Sequence, residues 1–126
     1  MAMPTNIKII HAREFIRATP EGRLDFEESK KMLLDLASAA STLSGVHVIL
    51  DVRKAEVETS MANLWHLANE YCNYRGVFSR KLAVLCSPAQ FDRAAFFALC
   101  AEQRGLDMNV FTSYEETIEW LIEEWS

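Results

Sequence analysis

Six residues in one short run carry most of the chemistry open to this chain: Asp51, Arg53, Glu56, Glu58, Thr59 and Ser60. Asp51 lies at the end of the apolar run Val46–Val52, where an open α/β sheet tends to place functional groups. A phosphoacceptor carboxylate there, with Lys81 as its cation, also needs an acidic pair after the first strand to hold a divalent ion. The sequence has no such pair, and an ion pair with Arg53 or a bond to a connector amide is the plainer role. Thr59 and Ser60 stand where a helix begins, so their hydroxyls face free N–H groups and the positive end of the helix dipole. A phosphate there could gain charge-assisted hydrogen bonds or switch a partner surface, although Glu56 and Glu58 bring like charge into the same loop. The plainer role of Ser60 is an N-cap worth about 1 kcal/mol.

Other chemistries find little footing. His11, His47 and His66 are far apart, and Cys72, Cys86 and Cys100 form no CxxC pair, so no metal site and no cofactor are expected. Gly22, Gly45, Gly76 and Gly105 are isolated at element boundaries, which excludes a glycine-rich phosphate cradle. Ser87 follows Cys86 without the GxSxG pattern, and no nucleophile–base or acid–base spacing emerges, so the expectation is a non-enzyme. The net charge of −5, with no Lys/Arg cluster, argues against nucleic acid as a partner. Aromatic residues on the second and third helices suggest a second candidate site. Trp65, Tyr71, Phe96 and Phe97 would line a pocket for a small apolar molecule or lipid between the helices and the sheet. Off-stripe aromatics, Trp120 among them, could instead pack within the domain or meet a partner, including a second copy in a two-fold dimer.

The elements that must position these residues follow from hydrophobic period. The 126 residues suit a single domain, residues 1–126, with no linker or repeat. Asn6–His11 and Glu14–Thr19 read as a hairpin joined around Ala12-Arg13, and Pro20-Glu21-Gly22 as a break. Asp25 caps a first helix that ends at Ser44-Gly45. Val46–Val52, nearly all apolar and β-branched, reads as a strand buried on both faces. Lys54–Glu58 reads as a charged connector, and Ser60 opens a second helix closed near Gly76. Lys81–Cys86 is another buried strand, with Ser87-Pro88 opening a third helix whose sheet-facing residues would be Phe91, Ala94, Ala98 and Ala101. A short strand, Met108–Phe111, leads to a last helix capped by Thr112 or Ser113. Its acidic face extends to Glu124, and its apolar stripe to Trp125. The order is β-β-α-β-α-β-α-β-α: an α/β fold with a mostly parallel open sheet, an antiparallel N-terminal strand and four helices. No segment approaches the ~20 apolar residues of a membrane span. The odd cysteine count and the absence of a signal peptide point to a reduced, cytoplasmic protein.

Three stretches together resemble the SpoIIAA-like branch of the STAS family, the sulfate-transporter and anti-sigma-factor-antagonist domains. They are Glu21-Gly22-Arg23-Leu24 before an acidic helix start, the buried VILDVR strand, and the closing run VFTSYEETIEWL. The resemblance covers nearly the whole chain and its element order. It implies a stand-alone bacterial module that is not an enzyme and acts through a protein partner of unknown identity. The connector Lys54–Thr59 and the start of the second helix would form the partner surface. Sporulation-type members carry a phosphorylatable Ser, preceded by Asp, at the start of the helix after this strand. That Ser falls on Ser60, while the Asp falls on Thr59 and the following Ser-Gly becomes Met61-Ala62. The branch is also similar in fold to lipid-binding CRAL-TRIO domains, which implies the apolar-ligand reading as the alternative.

Overall fold

The computed structural model describes residues 6–12, 15–43 and 45–123, with side chains described from Phe15 onward. Its elements are β1 (Asn6–Ala12), β2 (Phe15–Leu24), α1 (Phe26–Ser41), β3 (His47–Asp51), β4 (Ala55–Val57), α2 (Met61–Cys72), β5 (Lys81–Leu85), a 3₁₀ turn (Pro88–Gln90), α3 (Phe91–Glu102), β6 (Asp107–Phe111) and α4 (Tyr114–Ile122). The turn expected at Arg13, and Glu124 and Trp125, lie outside the described residues, whereas α1 ends at Ser41, ahead of the expected Ser44-Gly45.

The sheet runs β1-β2-β3-β5-β6, with β1 antiparallel to β2 and every other pair parallel. β3 lies between β2 and β5, and all five of its residues are buried, as expected of a strand covered on both faces. Alternation along the strands sorts their residues onto two faces. Ile16, Val48, Leu50, Leu82, Val84 and Met108 meet α1, α2 and α3 in the main core. Ile49 and Ala83 point the other way and meet Leu121 of α4, with Phe15, Phe111, Ile118 and Trp120 around them.

Three readings need correction. The connector after β3 contains β4, which pairs in parallel with Gly22–Leu24 at the far end of β2. β2 therefore continues through Pro20 and Gly22. Its register with β3 stops at Ala18, so the N–H that Pro20 lacks is not needed there, and Gly22 takes φ +90°. The third helix keeps its expected phase at Ala94, Ala98 and Ala101 but departs from it at its start. The 3₁₀ turn at Pro88–Gln90 precedes it, Ser87 makes no side-chain cap, and Phe97, Ala98, Cys100 and Ala101 are the buried residues. Phe91, expected against the sheet, is 40% exposed. Trp120 serves packing within the domain, 5.6 Å from the Phe111 ring. At the outer strand β6, the Asn109 side-chain oxygen accepts the Val110 N–H at 2.9 Å.

Candidate functional site

Asp51 ends β3 on the α4 face of the sheet. Its carboxylate is held by two arginines: Arg17 of β2 donates from Nη2 at 2.7 Å, and Arg53 donates from Nε and Nη2 at 2.9 Å each. The Arg53 backbone N–H adds a longer contact at 3.3 Å. Burial works against the charged carboxylate, but the hydrogen bonds from Arg53 and Arg17 outweigh it and hold the Asp51 pKa below its ordinary value. Arg17 in turn lies 5.1 Å over the Tyr114 ring of α4. The cluster therefore ties β2, β3 and α4 together, and its carboxylate is fully engaged.

The β4 segment forms a ledge on the rim of the sheet. Pairing with β2 fixes its backbone, and the Glu58 N–H donates to the Leu24 carbonyl at 2.9 Å. Glu58 accepts from Arg23 Nε at 2.8 Å, and Lys54 lies 3.8 Å from Glu21. Glu56 projects between them into solvent. The chain then turns into α2, where Ser60 Oγ accepts the Asn63 N–H at 3.1 Å, the N-cap expected of it. Thr59 differs from its neighbour: it is 4% exposed, and its hydroxyl has no hydrogen-bond partner among the described residues. Of the two adjacent hydroxyls only Ser60 is presented to solvent. Just beyond it Met61 and Trp65, four residues apart and so on one helix face, are 45% and 41% exposed.

The six polar candidates thus do not form one constellation. Asp51 and Arg53 close the α4 face, whereas Glu56, Glu58 and Ser60 stand on the rim that leads to α2. Strand alternation carries the explanation, because Val52 turns toward the main core and Asp51 away from it.

A cavity of about 70 Å³ lies between the sheet and α1–α3, beneath the ledge. Leu24, Met32, Val57, Leu67, Tyr71 and Phe97 are among its walls. Tyr71 and Phe97 thus lie where a pocket was expected. Trp65 and Phe96 do not line it: Trp65 turns outward under the Arg104 guanidinium at 4.7 Å, and Phe96 packs against the core from its edge. The sequence did not single out Gln90, which also lines the cavity and donates from Nε2 to the Ala55 carbonyl at 3.1 Å. A glutamine two residues after a proline carries no signal of this role. Burial raises the Cys72 and Cys86 thiols, which disfavours the reactive thiolate. Among the described residues no group of three or more His, Cys, Asp or Glu could hold a metal ion, and no helix is long and apolar enough to cross a membrane.

No protein-family model matches the chain, and no curated protein matches it. Solved structures do. A DUF3478-family protein with a SpoIIAA-like fold from Shewanella loihica superposes with a TM-score of 0.62 at 15% identity, covering 96% of this chain and 98% of that one. The anti-sigma factor antagonist SpoIIAA in its unphosphorylated form gives 0.62 at 14% identity, covering 94% and 97%. The Bacillus cell fate determinant SpoIIAA in its phosphorylated form gives 0.56 at 15%, covering 91% and 98%. The chain has a SpoIIAA-like STAS fold, with the strand and helix order expected from the sequence apart from the added β4.

Proposed function

We propose that this chain is a non-enzymatic STAS-type interaction module that binds a protein partner with the ledge of β4 and the first turns of α2. The observation that carries this reading is the exposed Met61–Trp65 pair beside a backbone-fixed acidic rim. An apolar centre bordered by charge is the usual anatomy of a protein interface, with contact area supplying affinity and the charges supplying specificity and encounter rate. Pairing of β4 with β2 holds Glu56 and Glu58 in place before a partner arrives, which lowers the ordering cost of binding. The test is capture of a partner from native cells by the tagged protein. A partner held by the wild type should be lost from both the Glu56→Lys/Glu58→Lys double variant and Met61→Asp. Capture that survives both changes removes this surface from consideration.

Ser60 supports a second reading, as a phosphorylation site that switches the same rim. Its hydroxyl is exposed at a helix N-terminus, where a phosphate meets unpaired N–H groups. One of the similar folds, SpoIIAA, is known in a phosphorylated form. Intact-mass measurement of protein from its native cells should find a phosphate that Ser60→Ala abolishes. A native mass without phosphate, together with Ser60→Asp binding the partner as the wild type does, would rule the switch out.

A further inference from the structure

We propose that the cavity between the sheet and α1–α3 binds a compact apolar molecule ending in a hydroxyl or primary amide, a group that both donates and accepts a hydrogen bond. Two polar atoms that the apolar walls leave unserved point to it. Tyr71 Oη and Gln90 Oε1 are both buried with no hydrogen-bond partner among the described residues, and both residues line the cavity. An unmade hydrogen bond on a buried polar atom is costly, and native structures leave few of them. Neither side chain has an easy alternative. Tyr71 is wedged between the rings of Phe78 and Phe97, at 5.5 and 5.6 Å. The Gln90 amide is oriented by its bond to the Ala55 carbonyl, which accepts only from the nitrogen and so turns the oxygen elsewhere.

The two atoms are complementary in kind. Burial pushes the Tyr71 phenol well above its ordinary range, so it keeps its proton and donates. The glutamine oxygen can only accept. A ligand serving both must accept from one and donate to the other, as an alcohol or primary amide does. A carboxylate has no proton to give Gln90. Among the described residues Arg93 is the one charged side chain in the lining, and it makes an anionic head group the principal competitor. Size narrows the class further. A cavity of about 70 Å³ is roughly half the ~150 Å³ of an apolar cavity that takes up benzene, which suits a body of about four carbons.

The experiment is an NMR titration of the intact protein, observing the methyl groups of Leu24, Leu50, Leu67 and Val84. Butan-1-ol, 1-chlorobutane and butyrate are the probes. Butan-1-ol should shift these methyls and bind at least tenfold more tightly than 1-chlorobutane, which has the same chain and no such head group. Tyr71→Phe keeps the ring and should cut that preference severalfold, leaving the part that Gln90 supplies, with 1-chlorobutane affinity unchanged. Ala94→Phe, which fills the cavity, should abolish binding of both. The proposal is overturned by equal binding of the alcohol and the chloride, by no binding of either (ordered water alone then serving the two atoms), by tighter binding of butyrate, or by a preference that Tyr71→Phe leaves undiminished. It does not depend on the rim: partner capture and probe binding are separate readouts on separate residues.

Discussion

The two faces of the sheet bury polar groups in different measure. On the face covered by α4, the core is small and the buried ionisable groups are mostly engaged: Asp51 by two arginines, and Lys81 by the Trp120 carbonyl at 2.6 Å with the Trp120 ring 4.8 Å from its ammonium, although Arg17 Nε is buried without a partner among the described residues. His47 lies there too, accepting the Lys81 N–H at 3.2 Å. On the face covered by α1, α2 and α3, the core is extensive and apolar, yet Tyr71, Gln90 and Thr59 each bury an atom with no partner among the described residues. One layer thus relies on specific polar partners to attach a single short helix. The other has apolar area enough to tolerate both a hollow and unmet hydrogen bonds. Spare stability is what permits an imperfect interior, and an imperfect interior is where a binding site can form.

This contrast can be broken by substitution, beginning with the largest expected effect. Leu82→Ala, in the main core, should cost about 3–4 kcal/mol in urea unfolding, while Leu121→Ala beneath α4 should cost about 2–3 because a short helix can settle into the space. Equal losses would mean that α4 is packed as rigidly as the other layer. Asp51→Asn should cost about 2–3 kcal/mol, below the full penalty for breaking a buried pair because both guanidiniums keep contact with water. Its pH dependence carries a sign. The carboxylate pKa is lowered on folding, so its stabilisation is complete above the unfolded value of about 4 and is lost as pH falls through the folded one. Unfolding curves of wild type and Asp51→Asn should differ most near neutral pH and approach each other in acid. Parallel curves would remove the ion pair as the cause. Ser60→Ala should cost about 1 kcal/mol, the worth of its cap. Tyr71→Phe should fall within about 1 kcal/mol of zero, on the stabilising side, since it removes an unpaired hydroxyl. A loss of about 2 kcal/mol or more would reveal a hidden partner and erase the contrast between the faces.

Much of this arrangement was legible in the sequence, for identifiable reasons. Val46–Val52 reads as interior strand because its apolar run leaves no polar side to face water, and β3 bears that out. The caps at Asp25, Ser60 and Ser113 each accept the expected N–H three residues on. β4 stayed hidden because its three residues alternate within a charged run, and because their partner lies beyond a Pro and a Gly that read as a stop. Pairing between residues more than thirty apart leaves no local periodicity to detect. The phase of α3 was legible from Ala94 onward, and Phe91 alone was misplaced because it closes a 3₁₀ turn, which advances the chain by a different angle per residue. The candidate polar site divided between two faces because the types of its residues carry no information on which way a strand-end side chain turns.

Asn109 has a consequence of its own. By occupying the Val110 N–H with its own amide oxygen, it leaves this border of the sheet one donor short for any incoming strand. A neighbouring molecule that tried to extend the ladder would have to displace a side chain before its first bond could form. The protein thereby gains resistance to fibrillar self-addition along β6, from one asparagine and without covering the strand.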